Sequence, residues 1–399
     1  MKKINHYISA LIVAAMTAGF SSCSSSDEPS SVSDNTPKEL TITIKTQGVT
    51  TKAAASGTDP GTTAENTMNR ITIGIFDASG KVRAIQEFGY GTDSSNDGKA
   101  GSANFYYNSL SGAATATVVT TQMVATDKVV AVVNAPASHF AGVTTLSDFK
   151  AKSIDADQAL HTSTTGLGSG TAINDNIPMY GETSTNLTQS GTTFNVSIQV
   201  KHLTAKVSLE NLTVNFAADG PYSQASFEPT EIYLYNVPDG LKFDIDNPYT
   251  STAWLTGNSD EASAKLYLST GTISGDILSG NTNPNNKFDN SYYFYTTPNN
   301  NTTTNRTKLV IKGTFKNNNG DGGTTIYYPV KLNSNVDASG NHGAVEGNEY
   351  QISPNKHYKC TVTIQSKGTT DPTADVDPTI ATIEIKVVNF EGVTQTTII

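Results

Sequence analysis

The stretch ELTITIKTQG, residues 39–48, decides how the whole chain is read. Leu40, Ile42 and Ile44 point one way and Thr41, Thr43 and Lys45 the other, the two-residue period of a half-buried β-strand. Outward from it, strands are predicted at 114–121, 128–134, 194–200 and 203–209. Others follow at 231–235, 291–296, 309–315, 325–332 and 357–364. The segment NRITIGIFDASGK adds a strand from residue 69 that closes at a turn over 77–80. One short helix is expected between 147 and 160, where Phe149, Ile154 and Leu160 can share a face. No long stretch has helical periodicity, and Thr, Ser, Asn and Gly abound. The 399 residues therefore read as an all-β protein with polar turns, long enough for two domains.

A net charge of −10 and a pI near 5.1 argue against nucleic acid or an anionic membrane surface as partner. The start of the chain reads as an address. Lys2 and Lys3 precede an apolar run over 8–20, then small residues and Cys23. That run is too short to span a bilayer and has the layout of a secretory signal. A cysteine at the expected cleavage point resembles a bacterial lipoprotein signal, which implies lipidation of Cys23. Residues 24–38 form a polar tether, and VTTKAAASGTDPGTTAENT (49–67) reads as an exposed loop. The only other cysteine, Cys360, lies in phase with Tyr358, Val362 and Ile364 and reads as a small core residue.

No catalytic constellation emerges, so no enzyme, cofactor or metal site is expected. GLGSG (166–170) fits neither a nucleophile elbow nor a dinucleotide fingerprint. NNNGDGG (317–323) resembles a calcium loop only faintly: it starts on Asn317 and has Tyr328 where a bidentate Glu is needed, so a hairpin turn is expected. The six histidines form no HxH or HxxxH pair. Asp244 and Asp246 read as an exposed strand end rather than an acid/base pair. Trp254 and the tyrosines of YYF and IYYP suit strand packing.

The sequence closes on ATIEIKVVNFEGVTQTTII (381–399). Ile383, Ile385 and Val387 alternate with Glu384 and Lys386, and the alternation resumes after Gly392 with Val393 and Ile399. A bare apolar strand of this kind invites pairing with another chain.

Taken in order, these segments resemble a FimA-type fimbrillin, the major subunit of the type V pili of Bacteroidales. The resemblance runs through ELTITIKT, RITIGIFDASGK, VKHLTAKVSL, FEPTEIYLYNV, YYFYTTPNN, TKLVIKGTF, IYYPVKLN and PNKHYKCTVTIQSKGTTDP to the terminal strand. It departs at Lys52, where the family usually has Arg, and at Phe390, where Trp is common. It implies two Greek-key β-sandwich domains of transthyretin-like type: 53–203 and 204–399, behind a signal peptide (1–22) and a propeptide (23–52).

The resemblance also implies an assembly route. A lipidated precursor is cut between Lys52 and Ala53, or alternatively after Arg70, releasing the strand that carries Leu40, Ile42 and Ile44. The terminal strand of the next subunit, with Val387, Phe390, Val393, Ile398 and Ile399, then fills the groove by β-strand addition. The expected partners are identical subunits head-to-tail and other pilus subunits at anchor and tip. The outer membrane holds the precursor through its lipid, and a receptor on a host or bacterial surface fits the same picture. The location implied is the cell surface and then an extracellular fimbria. Two other readings stand beside the shaft subunit: a tip or accessory adhesive pilin, and a surface glycan-binding lipoprotein that does not polymerise.

Overall fold

The computed structural model describes residues 36–46, 58–59, 62, 64–89, 105–108, 112–160, 176–274, 277–279, 287–288, 292–318, 321–336, 342–375 and 381–390. The first half builds β1 (Lys38–Thr46), β2 (Thr58–Asp59), β3 (Arg70–Phe76), β4 (Val82–Gly89), β5 (Phe105–Asn108), β6 (Ala113–Thr120) and β7 (Lys128–Val133). Then come α1 (Leu146–Ala151), β8 (Ser153–Asp155), α2 (Ala156–Leu160), β9 (Met179–Glu182), β10 (Thr188–Ser190) and β11 (Thr193–His202). The second half builds β12 (Ala205–Val214), β13 (Ser226–Pro238), β14 (Gly240–Lys242), β15 (Trp254–Thr256), β16 (Leu278–Ser279), β17 (Lys287–Phe288) and β18 (Tyr292–Thr296). It ends with β19 (Lys308–Lys316), β20 (Thr324–Lys331), β21 (Asn335–Val336), β22 (His342–Gly343), β23 (Lys356–Ile364) and β24 (Ala381–Phe390).

In the first half the hydrogen-bonded order is β4-β3-β7-β9-β11-β1-β6-β5. β11 turns this ribbon back on itself: its residues 193–200 pair with β1, and Lys201 and His202 pair with β9. The two limbs face each other across one apolar core. Ile42 and Ile44 from β1 meet Ile73 and Ile75 from β3 and Ala131 from β7, all fully buried. The turn between β3 and β4 follows from its sequence. The Asp77 carboxylate accepts from the backbone N–H of Ser79 and Lys81, and Gly80 takes the left-handed φ of +81° that L side chains resist.

The helix expected over 147–160 is instead α1 and α2 broken by β8, which pairs with β14. Ile154 is buried in that strand, and Phe149 and Leu160 are buried in the same cluster from either side. The apolar spacing was therefore right about burial. A β-branched residue claimed by an open strand overrode helix continuation.

In the second half one layer runs β17-β12-β23-β24-β2, with β18 also on β12, and the other runs β15-β13-β19-β20. Val207, Leu209, Tyr358 and Val362 of the first layer pack against Phe227, Ile232, Ile311 and Tyr328 of the second. Cys360 is fully buried between them, and burial pushes its thiol well above the ordinary value, so it is inert packing. The chain crosses from β11 to β12 through Leu203 and Thr204, both buried. Their backbone is tied by Leu203 N–H to Pro178 O at 2.8 Å and Asn355 N–H to Thr204 O at 2.9 Å.

Candidate functional site: the slot of the first strand and the segments around it

β1 is an interior strand. It pairs parallel with β11 on one side and antiparallel with β6 on the other, so its backbone groups are used on both edges. Leu40 lies between Phe194 and Val118, Ile42 between Val196 and Ala116, and Ile44 between Ile198 and Ala114. All three β1 side chains are fully buried. At about 1.5–3 kcal/mol each, they contribute roughly 5–9 kcal/mol. Taking β1 away would leave a nine-residue slot with unpaired edges on β6 and β11 above an opened core.

The next described stretch is held quite differently. β2 pairs parallel with the end of β24, Thr58 opposite Asn389 and Asp59 opposite Phe390. These residues, assigned to the N-terminal domain from sequence, therefore join the C-terminal sheet. Glu65 follows, 2 % exposed, its Oε1 2.9 Å from Lys206 Nζ on β12 and also accepting from the Tyr295 hydroxyl. Lys206 Nζ stands 4.7 Å above the Tyr293 ring, and His202 Nε2 meets Glu65 O at 3.0 Å. Burial pushes the Glu65 carboxyl up. The charge of Lys206, with hydrogen bonds from Tyr295, Lys206 and Thr62 N–H, outweighs that and holds it below the usual carboxylate range. Asn134 Nδ2 donates to Thr67 O at 2.8 Å, fixing the far end of the segment to the N-terminal sheet.

Arg70 opens β3. Its carbonyl accepts from Asn134 N–H at 2.8 Å, and its Nη1 is 2.6 Å from Glu87. It is thus set in a ladder, on an interior strand between β4 and β7.

β24 runs antiparallel to β23 from Ala381 opposite Ile364 to Asn389 opposite Lys356. Val387 pairs with Tyr358 and Phe390 with Asp59, so both belong to this subunit's own sheet. The alternation of 383, 385 and 387 continues the register of β23, and that register claims them. Cys23, Lys52, Ala53, Val393, Ile398 and Ile399 lie outside the described residues, as does GLGSG (166–170).

The other candidates resolve into structure. Asp321 accepts from Asn317 N–H and Nδ2 and from Gly323 N–H, and Gly323 has φ +85°, so its carboxylate is spent on turn contacts between β19 and β20. The Asp244 carboxylate is spent on Asp246 N–H and Asn247, a local turn. Among the described residues no group of His, Cys, Asp or Glu is arranged to hold a metal ion, and no helix is long and apolar enough to cross a membrane. The Glu65–Lys206 pair is the feature that sequence reasoning missed. Its one signal was a lysine in VKHLTAKVSL, flanked by apolar residues on a strand buried on both faces.

The family profile "Major fimbrial subunit protein (FimA)" matches residues 39–215, and that of the "FimA-like major fimbrial subunit protein, C-terminal domain" matches 226–391. No curated protein matches the chain. Among solved structures, a putative cell adhesion protein from Bacteroides eggerthii is similar at 21 % identity and TM-score 0.58, covering 89 % of this chain and 97 % of that one. A putative cell adhesion protein from Parabacteroides distasonis has 16 % identity and TM-score 0.57 over 90 % and 99 %. A fimbrilin from Porphyromonas gingivalis has 18 % identity and TM-score 0.54 over 90 % and 99 %. At these identities the structures establish the all-β sandwich fold, and the two profiles, which between them span both halves, establish the kinship: the chain belongs to the FimA-like fimbrillin family of fimbrial subunits.

Proposed function

We propose that this chain is a shaft subunit of a cell-surface fimbria, made as a lipoprotein at Cys23, cut between Lys52 and Ala53, and polymerised head-to-tail by strand exchange. Residues 53–203 and 204–399 make up its two sandwich domains, with Thr58 and Asp59 of the first range lent to the sheet of the second. The observation that carries this reading is the placement of β1: interior, nine residues long, and apolar on its buried face. Residues 391–399 are also nine and carry Val393, Ile398 and Ile399. Three buried aliphatics leave the slot with β1, worth roughly 5–9 kcal/mol, and Val393 and Ile399, which share a face, enter it with a neighbour's strand, worth roughly 3–6 kcal/mol. Cutting breaks the tie: while tethered, β1 holds the slot at a high effective concentration, and once severed it competes as a free peptide. Because donor and acceptor are different surfaces, the contact extends into a filament. Val387 lies in the subunit's own β23–β24 ladder and Phe390 pairs with β2 of the same subunit, which narrows the donor role to the segment after them.

The position of the cut has its own physical support. A cut after Arg70 would have to open a paired interior strand, whereas proteases favour exposed loops. It would also carry Glu65 away and strand Lys206 as a buried charge, a loss of about 3–5 kcal/mol. N-terminal sequencing of fibre material is therefore expected to begin at Ala53. A start at Ile71 would overturn the site, and a start at Cys23 would overturn processing.

A further inference from the structure

A cleft of about 480 Å³ opens in the C-terminal half between the β13 end, the 303–308 stretch and the 373–375 loop. That is the size of cavity that takes a small ligand. Its wall is polar: Tyr235, Asn236, Thr303 and Asn305 line it beside Arg306 and Lys308. Three cations converge on one carboxylate there. Asp375 is 2.9 Å from Lys308 Nζ, 3.5 Å from Arg306 Nη1 and 3.6 Å from Lys331 Nζ. A second carboxylate, Asp371, is taken up by the N–H and hydroxyl of Thr373. Of the charged residues that line the cleft, Arg306 and Lys308 outnumber Asp375, and Lys331 stands behind them.

The three cations are not equally satisfied. Lys308 is fully occupied: beyond Asp375 it donates to Thr373 O at 2.6 Å and Ala374 O at 3.1 Å, which uses its three N–H groups. Lys331 has the long contact to Asp375 and stands 5.5 Å from the centroid of the Tyr350 ring, and among the described residues its ammonium makes no hydrogen bond. Arg306 donates from Nε to Thr302 O at 2.9 Å, and its guanidinium carbon stands over the Tyr350 ring, 3.9 Å from the centroid. Of its five N–H groups, that bond and the 3.5 Å contact to Asp375 engage only two among the described residues. The guanidinium of Arg306 therefore keeps donors that face the cleft and are open to an incoming acceptor. Burial pushes the Asp375 carboxyl up, but the hydrogen bond and charge of Lys308, then Lys331 and Arg306, hold it below the usual carboxylate range. The carboxylate thus already stands in this site as an anion.

We propose that this cleft binds a carboxylated sugar, such as a uronic acid residue of an acidic polysaccharide. The Arg306 fork meets the sugar carboxylate in the planar geometry that suits it. Asn236, Thr303 and Asn305 supply donors and acceptors for ring hydroxyls, and Tyr235 offers an aromatic wall. The inference is independent of the strand-exchange reading, since no residue of β1 or of 391–399 takes part.

Titration calorimetry on the full chain with glucuronate, glucose and acetate tests it. Glucuronate is expected to bind saturably with a dissociation constant of about 1 mM, reasonable for a single sugar, and glucose and acetate at least about tenfold more weakly. Arg306→Gln should weaken glucuronate by about tenfold or more. Thr303→Trp, at an exposed wall position, should block it by filling the cleft while leaving the melting curve unchanged. Equal binding of acetate would reduce the site to a simple anion hole and overturn the proposal. So would equal binding of glucose, absence of glucuronate binding, or binding unchanged in both variants.

Discussion

Ile42→Asp is expected to lower the melting temperature of the uncut precursor by at least about 10 °C and to leave cleaved, assembled subunits unchanged. Ile42 is fully buried and flanked on both sides by paired strands, so the substituted carboxylate has no route to water while β1 stays in its slot. Removing the isoleucine alone costs about 2–5 kcal/mol, and the polar burial adds several more. Against a total of about 5–15 kcal/mol this is a large fraction of the N-terminal sandwich's stability. At about 2–4 °C per kcal/mol for a domain of this size, a loss above 5 kcal/mol gives the stated drop. In the cleaved form β1 has gone and position 42 with it. Calorimetry of both forms side by side checks this, and an equal drop in cleaved material would mean that β1 is retained.

Lys206→Met is expected to cost about 3–5 kcal/mol, because it leaves the Glu65 carboxylate buried without its counter-charge. The double variant Glu65→Gln with Lys206→Met should recover most of that, since a buried pair replaced whole is close to neutral. Chemical denaturation of the four proteins completes the cycle. The pH dependence follows from the depressed carboxyl of Glu65. Its stabilising contribution is complete above the ordinary Glu value of about 4.3, and it is lost as pH falls through the lower folded-state value. In the double variant that acid-side loss should shrink. Additive single-variant costs would mean that the pair is not coupled.

What could be read from sequence depended on whether the information is local. β1, β11, β23 and the second half of β19 announced themselves because one face is buried and the other wetter, which writes a two-residue period into the chain, whereas β7 and β20 are buried on both faces and were legible as short apolar runs. β4 did not, because residues 82–87 are all half-buried and show no alternation. β2 is two residues long and exists through its partner β24, which no local pattern reports. The same is true of Glu65 and Lys206, 141 residues apart. Neither has a neighbour in sequence that marks it, and only the fold makes them a pair. The slot was legible as a strand with three aliphatics, but its interior position between β6 and β11 was not, since sheet order is a long-range property.

The measurement closest to the central claim compares processed full-length protein with a version ending at Gly392, by electrophoresis in cold SDS and by thermal melting. If Val393, Ile398 and Ile399 fill a neighbour's slot, the full-length protein forms SDS-stable ladders. The truncated one stays monomeric, with its melting temperature lowered by only a few degrees, because β24 still pairs with β23 through Asn389. A large drop in melting temperature in the truncated protein, with ladders still forming, would show that this segment completes its own subunit and would contradict strand exchange.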